Sequence, residues 1–191
     1  MIVFAALIGY LIGSIPTAGW IGRAAGIDLR AGGSQNPGAN NARRLGGARL
    51  AAAILIVEIG KGFGAVVAGV AIAGTHGGVA AGVGALAGNV YNIWYRFEGG
   101  QGLGISAGIL MAAWPLYFPI ALGVIAVVTY VTRRTAKAAL AAMVVLAVGA
   151  VISFTAGYPS GWGLGDPEVA ALAIGMVVLI TPKQIAKLRS A

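Results

Sequence analysis

The stretch Ala112-Ala113-Trp114-Pro115-Leu116-Tyr117-Phe118-Pro119, "AAWPLYFP", decides how this chain folds. It interrupts an apolar run at 103–131 that could cross a bilayer once, or turn back as two short helices. Pro115 and Pro119 lack backbone donors, and a proline inside a helix breaks its hydrogen-bond ladder, so a break near Trp114-Pro115 is the local expectation. The other apolar runs lie at roughly 2–22, 50–73, 78–95, 138–157 and 168–181.

Charge chooses between the two alternatives, because Lys and Arg near span ends favour the cytoplasmic side. A single crossing puts Arg133, Arg134 and Lys137 outside. With a turn near Trp114, these three join Arg23, Arg30, Arg43, Arg44, Arg49, Arg96, Lys183, Lys187 and Arg189 on the inner side. The outer loops then carry only His76, Asp166 and Glu168. The expectation is an all-α bundle of seven transmembrane helices, two of them short and meeting around Trp114-Pro115, with the N-terminus outside and the C-terminus cytoplasmic. The half-run 103–113 is too short to span alone and must be buried in protein.

Composition supports one membrane-embedded domain over 1–191: 59% of residues are hydrophobic, 9% are charged, and the mean hydropathy is +0.89. The segments lack the short alternating pattern of a barrel. A net charge of +8 raises nucleic acid as a partner, but the cations sit in short loops between apolar spans, which excludes that class and leaves membrane lipids. The absence of cysteine and the single histidine argue against disulfides, thiol chemistry and a metal centre. The first cation is Arg23, so the basic start of a signal peptide is missing and the first run is expected to be a retained span. The 32 glycines suit close helix approach, as at Gly78/Gly82 and Gly84/Gly88. Nothing in the sequence specifies an oligomeric state.

Four polar segments fall on the inner side: "GGSQNPGANNARR" at 32–44, "YRFEGGQG" at 95–102, "TRRTAK" at 132–137 and the basic tail. Each alone reads as a solvated loop. Together they read as an anion site, because Gly and Asn permit turns that aim successive N–H groups at one anion and arginine grips phosphate with a fork of donors. Ser34, Asn36, Gly38, Asn41 and Arg44 supply those parts. In "VEIGKG", Glu58 and Lys61 stand three apart within an apolar run and can meet on one helix face; they are either a structural pair, charges snorkelling near the inner end, or functional intramembrane charges. His76 reads as a surface turn residue, and Trp94, Tyr95 and Trp114 as interfacial anchors.

These motifs resemble the bacterial acyl-phosphate:glycerol-3-phosphate acyltransferases, the PlsY family. The likeness rests on "GSIPTA" at 13–18, "DLRAGGSQNPGANNARRLGG" at 28–47, "VEIGKG" at 57–62 and "FEGGQG" at 97–102, in the family's order. It implies a seven-helix protein of the bacterial inner membrane whose polar site faces the cytoplasm. It also implies transfer of a fatty acyl group from acyl phosphate to glycerol 3-phosphate, giving lysophosphatidate and phosphate without cofactor or metal. On that resemblance Ser34, Asn36, Asn41, Arg44 and Lys61 bind phosphate or the polar substrate, and Gly99, Gly100 and Gly102 form a backbone loop near a phosphate. No serine, histidine and aspartate set is evident, so no side chain is named as the base.

The chain departs from the family pattern at Gln35, Asn89, Glu98, Gln101, Ala136, Thr181 and Gln184. Two lysines of the glycine loop are replaced, by Glu98 and Gln101, and Arg43, Arg96 or Arg134 would have to supply the missing cation. The departures leave two further readings open: a paralogue without turnover that binds a phosphorylated lipid or regulates an active relative, and a member changed in substrate or turned to lipid transport.

Overall fold

The protein is described by a computed structural model covering residues 1–156 and 166–189. The side chain of Asp166, expected in an outer loop, lies outside the described residues. Among the described residues the fold is all-helical: α1 (Ile2–Ser14), α2 (Thr17–Ala24), α3 (Ala39–Val90), a 3-10 turn at Ile93–Tyr95, α4 (Leu103–Ala113), α5 (Tyr117–Thr132), α6 (Thr135–Ala156) and α7 (Asp166–Arg189).

α3 is too long to be one straight rod, and glycine bends it. Gly47 takes φ 81°, while Ala73 and Gly74 take φ −147° and 63°, so the element divides into arms at 39–46, 48–72 and 75–90. Glycine enters the left-handed region without the cost of a Cβ. At the second break the chain reverses. A Cβ placed on Gly69 would lie 2.3 Å from the Gly77 carbonyl oxygen, so the two long arms touch backbone to backbone.

The same device seats α1 on the third arm. Gly9 meets Ala81 and Gly13 meets Ala85 from one side, while Gly84 meets Ala6 and Gly88 meets Tyr10 from the other. Both contact series advance in the same direction, so α1 runs parallel to that arm. α4 in turn lies parallel to the middle arm, with Gly104 against Glu58 and Gly108 against Ile59 and Phe63. Without a strong hydrophobic drive between helices in lipid, such close approach supplies the packing contacts that hold the bundle.

The break at Trp114-Pro115 is present: α4 ends at Ala113 and α5 begins at Tyr117. α4 is the central helix, burying Ile105, Ser106, Gly108, Ile109, Leu110 and Ala113. Trp114 is not the interfacial anchor expected from the sequence. It is 7% exposed and stacked on Tyr117 at 5.0 Å between ring centroids, with its far edge against Gly149, so it fills the corner between α4, α5 and α6. The Tyr117 hydroxyl donates to the Ala142 carbonyl and ties α5 to α6. The apolar run at 78–95 stops as helix at Val90, because the Asn92 side chain caps the 3-10 turn through the Trp94 N–H. Trp94 is exposed, as an anchor would be.

Ile2–Ala24, Ala39–Tyr95, Thr135–Thr155 and Pro167–Arg189 are each long and apolar enough to cross a membrane, and α4 and α5 are shorter apolar helices. Large apolar side chains such as Ile56, Val127, Phe154 and Val178 face outward, which suits a hydrocarbon surround rather than water. This is an integral membrane fold.

The glycine contacts predict a specific cost. In Gly13→Ala the new methyl would lie 1.9 Å from the Ala85 carbonyl oxygen, so α1 must move off α3. Overpacking of this kind costs about 1–3 kcal/mol, seen as a lower thermal unfolding midpoint in detergent, whereas Gly123→Ala inside α5, which meets nothing, does not lower the midpoint and raises it slightly through helix propensity.

Candidate active site

The site begins where α1 is broken. In a continuous helix the Gly13 carbonyl would accept from the Thr17 N–H, but Pro16 turns the chain and that N–H bonds Ile15 O at 2.9 Å instead. The Gly13 and Ser14 carbonyls, left without helical partners, and the Ile15 carbonyl beside them are met by side chains from elsewhere. Lys61 Nζ donates to Gly13 O at 3.2 Å and to Ile15 O at 2.8 Å, and Asn92 Nδ2 donates to Ser14 O at 2.8 Å.

Lys61 is 8% exposed, and a buried ammonium requires a counter-charge. Glu58 supplies it from one turn earlier, with Oε1 at 2.9 Å from Nζ. The Thr17 hydroxyl donates to the same Oε1 at 2.8 Å, and Asn89 Nδ2 donates to Oε2 at 2.8 Å. One carboxylate therefore joins α2 and both long arms of α3. The pair expected from the i, i+3 spacing is present, and it is a hub rather than a snorkelling surface pair.

Beside the hub opens a cavity of ≈ 640 Å³. One end is polar, formed by Asn36, Asn40, Glu58, Asn89, Gln101 and Arg133; the walls are apolar, from Leu55 and Ile59 on α3, Leu103 and Ala107 on α4, and Leu122, Ile125 and Ala126 on α5. The N-terminus of α4, capped by Gly102 at φ 80°, opens into it, and the free N–H groups of a first helical turn favour anions. A smaller polar space of ≈ 20 Å³ lies on the other side of Pro37, Glu58, Asn89 and Gly100.

The residues singled out in the sequence separate into distinct positions. Asn36, Gly38, Gly100 and Gly102 line the large cavity, while Lys61 lines only the small one. Asn41 is 1% exposed and its amide is fully engaged by the loop before α3: Oδ1 accepts from Ser34 N at 2.9 Å, and Nδ2 donates to Leu29 O at 2.8 Å and Gly32 O at 3.0 Å. Its structural place is a staple for residues 29–34, and Ser34 itself faces out. The glycine loop is not a ring of free donors, for Gly99 N bonds Val90 O at 3.0 Å and Gly100 N bonds Asn89 O at 2.9 Å, closing the end of α3. Arg43, Arg44, Arg96 and Arg134 are all exposed and none lines the cavity.

Two cations escaped the sequence reading. Arg133, at the end of α5, lines the cavity and packs its guanidinium over the Tyr130 ring at 5.1 Å. Lys187 on α7 reaches Gln101 Oε1 at 3.1 Å, bringing charge to the glycine loop from a distant part of the chain. Adjacency to Arg134 in "TRRTAK" gave no reason to prefer one arginine over the other. Glu98 points away from the cavity and is held by Arg30, whose Nη1 donates to the Glu98 carbonyl at 2.8 Å and whose guanidinium covers Tyr95 at 4.5 Å. Gln35, where the family resemblance expects glycine, adopts φ 55°, a conformation that costs a non-glycine residue about 1–2 kcal/mol. Among the described residues, no group of His, Asp and Glu side chains is placed to hold a metal ion.

The hub makes a testable demand on stability. Lys61→Met strands a buried carboxylate and is expected to cost about 3–5 kcal/mol, whereas the double variant Glu58→Gln/Lys61→Met removes both charges and recovers most of that loss. Thermal unfolding of the purified variants in detergent reads the difference.

The sequence profile of the glycerol-3-phosphate acyltransferases matches residues 3–190. The glycerol-3-phosphate acyltransferase of Synechococcus sp. (strain JA-3-3Ab) is 45% identical over 116 residues, 60% of this chain and 57% of that protein. That of Nitrobacter winogradskyi is 35% identical over 173 residues, covering 90% of this chain and 83% of the relative. The chain thus spans 57% of the first relative's length and most of the second's. Among solved structures, PlsY, an integral membrane glycerol 3-phosphate acyltransferase in its glycerol 3-phosphate form, superposes with a TM-score of 0.79 at 25% identity, covering 98% of this chain and 90% of that one. Its lysophosphatidic acid form shares the fold at a TM-score of 0.76. With the profile running almost from end to end, this chain belongs to the glycerol-3-phosphate acyltransferase family.

Proposed function

We propose that the protein transfers a fatty acyl group from acyl phosphate to a hydroxyl of glycerol 3-phosphate, giving lysophosphatidate and phosphate. The observation that carries this reading is a cavity that joins an amide- and arginine-bearing end to apolar walls. A substrate with a charged head and a hydrocarbon tail needs both halves, and family membership supplies the reaction class.

In this reading the acyl chain lies along Leu122, Ile125 and Ala126 of α5, opposite Leu55 and Ile59. The α4 N-terminus and Arg133 attract the phosphate groups. The acceptor hydroxyl oxygen forms a bond to the acyl carbonyl carbon while the carbon–oxygen bond to phosphate breaks. The hydroxyl proton passes to an oxygen of the departing phosphate, so no side-chain base is required and the protein contributes alignment and charge stabilisation. The reaction as written uses no cofactor.

We also infer seven membrane crossings, counting the two long arms of α3 separately, with the N-terminus outside and the polar cavity on the cytoplasmic side of the bacterial inner membrane. The parallel pairing of α1 with the third arm, and of α4 with the middle arm, supports the alternation this requires.

Two measurements test these readings. Purified protein given a long-chain acyl phosphate and glycerol 3-phosphate is expected to release phosphate and form lysophosphatidate in equal amounts. Arg133→Ala is expected to lower kcat/KM by tenfold or more through loss of a charge-assisted hydrogen bond. No product above a heat-inactivated control removes the catalytic reading. For orientation, a cysteine at His76 is expected to react with an impermeant thiol reagent in intact cells and one at Thr135 only after lysis; labelling of Thr135→Cys from outside refutes the seven-crossing arrangement.

A further inference from the structure

We propose that Asn36 and Asn89 form the subsite that holds the diol of the acceptor, with Glu58 as the positioning residue that fixes which way Asn89 faces. The inference rests on the acyl-transfer reading above and names where in the cavity the hydroxyl end of that substrate lies.

An asparagine amide presents a donor on one side and an acceptor on the other, and its orientation follows from its partners. Asn89 Nδ2 lies 2.8 Å from Glu58 Oε2. An ionised carboxylate only accepts, so the nitrogen must face it and the oxygen must face the opposite way. That oxygen points at Gly100: a Cβ placed there would lie 3.2 Å from Asn89 Oδ1 and 3.8 Å from Asn36 Oδ1. Asn36 turns its own Nδ2 toward Gly38, 3.0 Å from where a Cβ would stand on that residue. The Gly100 N–H is already bonded to the Asn89 carbonyl, so it offers no donor to this spot.

Two side-chain oxygens thus lie close to the same bare face of Gly100, one place on the cavity wall. Such a point repels phosphate and receives hydrogen-bond donors. Because Lys61 neutralises Glu58, the spot carries the partial charge of two amides rather than a full negative charge, which suits neutral hydroxyls better than a cation. Two acceptors beside one point match two neighbouring hydroxyls, and glycerol 3-phosphate carries a vicinal diol at the end opposite its phosphate. The phosphate then lies toward Arg133 and the α4 N-terminus. The absence of a side chain at Gly100 is what leaves room for a ligand against that face.

The test compares glycerol 3-phosphate with 3-hydroxypropyl phosphate, which lacks one hydroxyl, using the full-length protein in detergent and a long-chain acyl phosphate as donor. Wild type is expected to favour the diol by about tenfold in kcat/KM, the effect of about one hydrogen bond. In Asn36→Ala, Asn89→Ala, Glu58→Gln and Gly100→Ala that preference falls toward unity, while KM for acyl phosphate and inhibition by inorganic phosphate stay near wild type. Gly100→Ala touches no ion pair, so it keeps the test decisive if Glu58→Gln does not fold. A preference unchanged in Asn89→Ala and Gly100→Ala overturns the proposal, as does a loss of phosphate inhibition parallel to the loss of acceptor affinity. Wild-type transfer is measured first. Its absence with both acceptors removes the acyl-transfer reading and this one with it, whereas retained transfer with unaltered preference removes this one alone.

Discussion

The ammonium of Lys61 is the contact on which the rest of the structure depends. Breaking α1 at Pro16 leaves carbonyl oxygens in a setting where water is scarce, and an unmatched backbone group there is costly. Lys61 answers one of them, Gly13 O, at 3.2 Å and adds a bond to Ile15 O at 2.8 Å, and its buried charge then requires Glu58. Glu58 has a second oxygen, and that oxygen orients Asn89 at the cavity wall. A backbone problem in the first helix is thus coupled, through one ion pair, to the polar surface of the site.

The same economy appears in the glycine loop. Gly99 and Gly100 approach the end of α3 so closely that their N–H groups close its last carbonyls, which ties the loop to that helix end. α4 starts directly from that loop at Gly102, so the direction of its dipole into the cavity follows from how α3 ends. Arg133 and Lys187 bring positive charge from α5 and α7, elements distant in sequence.

Much of the architecture was legible in the sequence because membrane spans are long, apolar and bounded by charge. The turn at Trp114-Pro115, the central burial of 103–113 and the Glu58–Lys61 pair all follow from local rules about proline, span length and helix spacing. The site was less legible. Asn41 and Asn36 are indistinguishable as residue types in a polar stretch, yet one is a loop staple and the other faces the cavity. Arg133 and Arg134 are neighbours and both exposed, yet only Arg133, at the left-handed end of α5, borders the cavity. Trp114 was misplaced because an aromatic beside a break reads as interfacial until the third helix that covers it, α6, is known.

The apolar wall of the cavity includes Leu55 and Leu122, which are 41% and 47% exposed, so the cleft is open at that wall rather than sealed inside the bundle. The cleft and the lipid-facing exterior therefore share a boundary. Any long-chain molecule that occupies the cleft can arrive sideways, from a two-dimensional solvent, without first dissolving in water. Its occupancy is then set by its mole fraction among the surrounding lipids, so diluting the protein into more bilayer starves the cleft as effectively as removing the ligand.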